Sequence, residues 1–297
     1  MTDTLTIAAA AYPLDWFDRF ADYEAKITRW VDGAVAQGAG LLVFPEYAAM
    51  ELASLGGAEV AADLQGALAE VARHRPAADA LHARLAAQHG VLILGGSGPV
   101  FRGNRPVNRA TLYGPAGILG HQDKQIMTRF EREEWDIAPG TDGLTLFDTP
   151  KARIGVAICY DSEFPLLSRA LAEAGVEVIL APSCTETAAG YNRVRVGSMA
   201  RALESQCVTV QSPLVGEAPW CAGCEANTGR AAIYGPPDRG WPETGVLAEG
   251  EMNAPGWVLA TIDRALIART RADGGVLGFA HWPEQAARLS AGVKLRP

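Results

Sequence analysis

Three side chains able to work on an acyl carbon sit where strands are expected to end. The run Arg153 to Ile158 (RIGVAI) is mostly β-branched or small, reads as a strand buried on both faces, and delivers Cys159 into a turn through Tyr160, Asp161 and Ser162. The carboxyl end of a strand is where α/β sheets place their chemistry. A helical stretch, Leu166 to Ala174, follows with unpaired N–H groups in its first turn, an environment that favours thiolate. An ordinary buried cysteine has the same local setting, so Cys159 gains meaning only from its company. Glu46 ends a second apolar run, Leu41 to Pro45 (LLVFP), and Lys124 closes the far strand of a hairpin. A thiol attacking a carbonyl or nitrile carbon needs a base, a role for Glu46 if burial raises its pKa toward neutrality. The oxyanion needs donors, available from Lys124 and the backbone N–H of Tyr160, each well-placed donor contributing about 3–4 kcal/mol. Three more carboxylates, Glu131, Glu133 and Glu134, crowd the stretch Thr128 to Trp135 (TRFEREEW).

The elements that must position these groups alternate between strand and helix. Leu5 to Ala10 reads as a first strand and the segment from Asp15 as an amphipathic helix, stopped by Gly38 and Gly40. Two helices, Asp63 to Arg75 and Ala77 to His89, are expected on either side of Pro76, then a strand from Val91 to Gly96. Arg109 to Tyr113 and Ile118 to Lys124 form the hairpin around Gly114-Pro115-Ala116-Gly117. Past Cys159 the pattern continues with a strand at Val176 to Ser183, a helix at Arg193 to Ser205 and strands at Cys207 to Ser212, Ala231 to Tyr234 and Trp257 to Ile262. Val215 to Ala226, rich in Gly and Pro, reads as a surface loop. No linker interrupts the alternation, so one domain over 1–297 is expected.

Composition excludes several classes. The 297 residues are 48% hydrophobic and 20% charged, an ordinary folded chain, and no apolar run approaches a membrane span. Lys plus Arg number 26 against 34 acidic residues, a net charge of −8, which makes nucleic acid a poor partner. The N-terminal MTDTLTIAAAAYP lacks a basic segment ahead of an apolar one, so a cytoplasmic protein with reduced thiols is expected. Its five cysteines, Cys159, Cys184, Cys207, Cys221 and Cys224, are odd in number and irregularly spaced, which argues against a disulfide framework. Cys221 and Cys224 form a CxxC with no second pair, so loop cysteines are expected rather than a metal site. Gly95 to Gly98 (GGSG) lacks the spacing of a phosphate loop.

Together FPEY (Phe44 to Tyr47), DKQIM (Asp123 to Met127) and GVAICYDSEFP (Gly155 to Pro165) resemble the nitrilase superfamily of carbon–nitrogen hydrolases, whose members carry a Glu-Lys-Cys triad. ILAPSCTE (Ile179 to Glu186) and RALESQ (Arg201 to Gln206) extend the likeness to about Asp263. The resemblance implies an α/β fold, a four-layer α-β-β-α sandwich whose monomers pair as a homodimer. It implies Glu46 as general base and acid, Lys124 as oxyanion stabiliser, Cys159 as nucleophile, and no metal or organic cofactor. It also implies a second glutamate between lysine and cysteine: Glu133 fits the spacing from Pro139-Gly140 best, with Glu131 and Glu134 left open. Tyr47, Ser183 and Cys184 are candidate substrate-binding residues, and His121 and His281, outside the family's motifs, are read as structural. Tyr160-Asp161 after the cysteine favours a small-molecule amide substrate over a nitrile. Nitrile or N-carbamoyl hydrolysis, amine acyl transfer and a non-catalytic scaffold remain as alternatives. Ala48 to Leu55, Ser183 to Tyr191 and Val215 to Cys224 are expected to shape the pocket. Arg129, Arg193 and Arg195 have either a substrate carboxylate or surface salt bridges as partners.

Overall fold

A computed structural model describes residues 4–296; Met1 to Asp3, at the head of the segment read above as lacking a basic leader, lie outside it. The strands are β1 (Thr4–Ala11), β2 (Leu41–Val43), β3 (Leu92–Leu94), β4 (Gly98–Arg102), β5 (Arg105–Gly114), β6 (Gly117–Asp123), β7 (Leu146–Asp148) and β8 (Arg153–Val156). They continue with β9 (Val178–Ser183), β10 (Val208–Pro213), β11 (Gly216–Glu217), β12 (Ala226–Asn227), β13 (Ala232–Tyr234), β14 (Val246–Glu249) and β15 (Gly256–Asp263). One sheet has the order β15-β1-β2-β3-β5-β4, with β6 also paired to β5; the other has the order β14-β13-β10-β9-β8-β7. Each has a parallel centre, β1-β2-β3 and β8-β9-β10, flanked by antiparallel strands.

Side chains alternate across a strand, and here both faces are apolar, so each sheet is buried on two sides. Ile7, Ala9, Leu41, Val43, Leu92 and Leu94 meet Ile154, Val156, Val178, Leu180, Val208 and Val210 in the core between the sheets. The intervening Ala8, Ala10, Leu42 and Ile93 pack outward against helices α1 (Phe20–Val35) and α3 (Leu64–His89), the latter preceded by the short α2 (Ala58–Ala62). After α4 (Arg129–Glu133), helices α5 (Pro165–Glu173) and α6 (Ala188–Ser205) cover the second sheet, and α7 (Arg264–Asp273) follows β15. The result is the expected α-β-β-α sandwich. Ser212 Oγ, near the end of β10, donates to Ala10 O (2.8 Å) and Val43 O (2.9 Å), so strands of both sheets end together.

Several elements differ from the expectation. The first helix starts at Phe20 rather than Asp15, because the Asp15 and Phe17 N–H groups donate to Glu51 Oε2 (3.2 Å) and Ser54 Oγ (3.0 Å). Glu51 is itself buried against Lys26 Nζ (2.8 Å) and the Tyr12 hydroxyl (2.6 Å). The two helices expected around Pro76 are one, α3: proline removes one N–H donor, but the apolar face of Leu68, Val71, Ala78, Leu81 and Leu85 continues across it. β4 was hidden by its Gly98-Pro99 start. In Val215 to Ala226, expected at the surface, Val215, Ala218, Cys221 and Cys224 are buried, and Ala222 N bonds Ala61 O of α2. Ala48 to Gly56 is a buried 3₁₀ helix.

Gly96, in the loop after β3, touches that 3₁₀ helix. A Cβ there would lie 2.6 Å from Ala48 Cβ and 3.1 Å from Ala49 N. Gly96→Ala is therefore expected to displace the segment following Glu46 and to lower stability by about 1–3 kcal/mol. The check is the urea midpoint at unchanged m-value; a wild-type midpoint would show that the helix shifts freely.

Candidate active site

Glu46 follows β2, Lys124 follows β6 and Cys159 follows β8, and all three are buried together at one end of the sandwich. Lys124 Nζ donates to Glu46 Oε1 (2.7 Å) and to Glu131 Oε2 (2.6 Å). Its backbone is held as firmly: Lys124 N bonds Asn108 O (2.9 Å), and the next two N–H groups, of Gln125 and Ile126, donate to the Asp161 carboxylate (3.1 and 2.8 Å). Asp161 therefore clips the lysine loop to the cysteine turn. The remaining Glu46 oxygen, Oε2, accepts from Cys184 N (3.0 Å), while Cys184 O lies 3.9 Å from the Cys159 sulfur.

Cys159 and Tyr47 both adopt left-handed backbone, with φ of 48° and 56°. Non-glycine residues occupy that region at a cost, which the surrounding contacts must offset. At Cys159 the turn is closed by Ser162 Oγ donating to Cys159 O (2.6 Å). At Tyr47 the backbone N–H donates to Ser97 Oγ (3.0 Å), the ring lies 4.8 Å from Trp135, and the hydroxyl donates to Glu131 Oε1 (2.8 Å).

Glu131 is the glutamate beside the lysine, and Glu133, favoured by spacing, is not. Thr128 and Glu131 form a reciprocal capping box at the start of α4, which folds the Glu131 carboxylate back toward Lys124. Thr128 N and Oγ1 each donate to Glu131 Oε2 at 2.9 Å. Glu133 faces solvent and pairs with Arg129 (2.7 Å), and Glu134 is exposed. The signal was present in TRFE, the Thr-x-x-Glu pattern of a capping box. Asn108, also missed, donates from Nδ2 to Glu46 Oε1 (3.0 Å) and Glu131 Oε1 (3.4 Å); an asparagine inside an apolar strand pattern was its only mark.

The other candidates fall outside this cluster or in its wall. Ser183 is fully buried at the end of β9, its Oγ without a hydrogen-bond partner among the described residues, and Tyr47 commits its hydroxyl to Glu131. Cys184 is partly exposed, its sulfur 3.4 Å from Asn227 Oδ1. Tyr160 is half-buried in the first turn of the short 3₁₀ helix, where N–H groups have no intrahelical acceptor. Arg129, Arg193 and Arg195 pair with Glu133, Glu163 and Glu249. His121, Asp123 and Asp142 come within 4.8 Å of one another, but Arg109 binds Asp123 through two bonds (2.7 and 2.9 Å) and Arg102 pairs with both aspartates, an ion-pair network.

Burial raises the Glu46 pKa, with Lys124 opposing and Glu131 reinforcing. Glu131 is also desolvated, yet its pKa is lowered, because Lys124, Thr128 and Tyr47 all favour its ionised form. Desolvation works against the Lys124 charge, but Glu131 and Glu46 outweigh it and raise its pKa well above the usual value. The Cys159 thiol is pushed well up by burial and by the Glu46 charge, with Lys124 opposing. Burial and the Glu46 charge thus oppose the thiolate that the turn was expected to favour, and Glu46 is the neighbour placed to take the proton. Burial pushes Asp161 up to about 7, against Lys124 and the Gln125 and Ile126 N–H groups.

A family model described as carbon-nitrogen hydrolase matches residues 6–272. A probable hydrolase, YhcX, of Bacillus subtilis (strain 168) is 32% identical over 91% of this chain and 52% of its own length. An omega-amidase of Xenopus laevis is 30% identical over 45% of this chain and 51% of its own. The chain thus spans about half the length of these curated relatives. Among solved structures, a carbon-nitrogen hydrolase from Helicobacter pylori G27 superposes with a TM-score of 0.76 at 15% identity, covering 98% of this chain and 97% of the other. An amidase mutant from Nesterenkonia sp. AN1, with acrylamide added at its active site cysteine, gives 0.67 at 21% identity over 91% and 97%.

The buried ammonium makes a stability test possible. Lys124→Met strands two carboxylates without their cation and is expected to cost about 3–5 kcal/mol near pH 8. The stranded groups then have folded pKa values above their unfolded ones. They bind more protons folded than unfolded, so the variant's stability falls as pH rises through that window. Urea unfolding at pH 5 and pH 8 should therefore show a smaller deficit at pH 5; an equal deficit would mean that the cation is not what holds the carboxylates.

Proposed function

The chain belongs to the carbon-nitrogen hydrolase family of the nitrilase superfamily, and on that premise we propose that it is an enzyme hydrolysing a small-molecule amide to a carboxylic acid and ammonia. We take 1–297 as one domain carrying this activity. The observation that carries the reading is the convergence of Glu46, Lys124 and Cys159, brought from the ends of β2, β6 and β8, around a single buried lysine.

The chemistry follows from the ionisation pattern. Glu46 takes the thiol proton as the Cys159 sulfur bonds to the amide carbon, and the carbonyl electron pair moves to oxygen. That oxyanion is held by Lys124 and the Tyr160 N–H. Glu46 then returns the proton to the nitrogen as the carbon–nitrogen bond breaks, releasing ammonia and leaving a thioester. Water, deprotonated by Glu46, attacks the thioester; the sulfur leaves, is reprotonated, and the acid is released. Glu131 stays ionised throughout, balancing Lys124 so that Glu46 is free to cycle its proton. The omega-amidase relative and the acrylamide adduct at the cysteine of the Nesterenkonia amidase support an amide substrate and a cysteine nucleophile. Pairing as a homodimer belongs to the same reading; Leu166 on α5 and Val196 and Leu203 on α6, all exposed, support it. Among the described residues no helix is long and apolar enough to cross a membrane.

The test is ammonia release from ω-amides, aliphatic amides, N-carbamoyl compounds and nitriles, with wild type beside Cys159→Ala. Release from amides, absent in the variant, is expected; undiminished release by Cys159→Ala would sink the scheme. Glu131→Gln should lower kcat about 10²-fold or more, while Glu133→Gln stays near wild type. Because Glu46 must be ionised to accept the proton and burial raises its pKa, kcat/KM should fall on acidification at a pH above the ordinary carboxylate range.

A further inference from the structure

Asn108 on β5 is fully buried and touches both carboxylates that flank Lys124. Its amide orientation is dictated by its surroundings. Ser97 Oγ accepts from Tyr47 N (3.0 Å), leaving its own proton for Asn108 Oδ1 (2.7 Å). Oδ1 is thereby the acceptor, and Nδ2 faces Glu46 Oε1 (3.0 Å) and Glu131 Oε1 (3.4 Å), two acceptors that only an NH₂ group satisfies. The same residue's backbone O holds Lys124 N (2.9 Å). One strand residue thus locates the cation through its backbone and the base through its side chain.

We infer that Asn108, locked by Ser97, is a positioning residue that aims the Glu46 carboxylate and sets the pH at which it ionises. The inference rests on Glu46 being the base, as proposed above. Glu46 is surrounded by Lys124 from the end of β6, Glu131 from α4, Cys159 and Asp161 from the turn after β8, Cys184 after β9, whose backbone N–H holds its other oxygen, and its neighbour Tyr47. Against these charges a neutral donor favours the ionised carboxylate without adding a cation that would hold the proton away permanently.

Asn108→Leu removes the donor at similar volume. The acid limb of the kcat/KM–pH profile is expected to move up by about one pH unit, so that activity on the acid side of the limb falls about tenfold. A lower activity with an unmoved limb would overturn the inference, since a merely structural role reduces the rate without shifting its pH dependence. If Asn108→Leu does not fold, Ser97→Ala keeps the donor but unlocks the amide; a smaller upward shift is expected, and an unmoved limb again overturns it. The pH dependence of Cys159 alkylation by iodoacetamide, followed by mass spectrometry, reads the same ionisation without any substrate. Were no compound to release ammonia, the proposed function would fail, while a shifted alkylation profile in Asn108→Leu would still uphold the role of Asn108, and an unshifted one would refute it.

Discussion

A lysine ammonium with 1% of its side chain exposed, shared between two carboxylates, is the constraint on which the rest of the site depends. Isolated, any one of these charges would be expelled or neutralised in the interior. Together they form one cation against two anions, and the excess negative charge is relieved unequally. Glu131 has two donors from Thr128 and one each from Tyr47, Lys124 and Asn108, which lower its pKa despite burial. Glu46 has fewer donors and is left as the group with affinity for a proton. The two chemically identical side chains acquire opposite pKa shifts from the count and kind of donors around them.

The fold supplies the rigidity this arrangement needs. Lys124 is anchored by Asn108 O ahead of it and by Asp161 behind it, so a strand end and the cysteine turn cannot drift apart without breaking backbone hydrogen bonds. Tyr47 and Cys159 hold left-handed backbone at adjoining strand ends, and each is pinned by a serine hydroxyl, Ser97 and Ser162. Strain at these two positions sits in the residues that carry or support the reactive groups, and close packing around them keeps it from relaxing.

A second buried ion pair, Lys26 with Glu51, fastens the segment after Glu46 to α1. Its effect is architectural: it draws Tyr12, Asp15 and Phe17 against the 3₁₀ helix Ala48–Gly56 and delays the start of α1 to Phe20. That helix is the floor on which Tyr47 rests, so the polar chemistry at one end of the sheet is backed by a desolvated pair a few residues away.

By itself the sequence pointed to strands covered on both faces, because LLVFP and Ile154 to Ile158 are apolar throughout and a doubly buried sheet accepts such runs, while the four-layer sandwich was implied by the family resemblance. It also pointed to Glu46, Lys124 and Cys159 at expected strand ends, and the structure buries the three together. The capping box that selects Glu131 was legible in Thr128-x-x-Glu131, though counting from Pro139-Gly140 pointed to Glu133. Only the tertiary structure decided the rest. Pro76 does not break α3, because a continuous buried face outweighs one missing hydrogen bond. The Cys159 thiol is pushed up rather than down, because burial and the Glu46 charge outweigh Lys124 and the Cys184 backbone. Asn108, Ser97 and Asp161 acquire their parts from partners eleven to more than sixty residues away in the chain, and hydrogen bonds over such separations leave no periodic trace for a sequence to show.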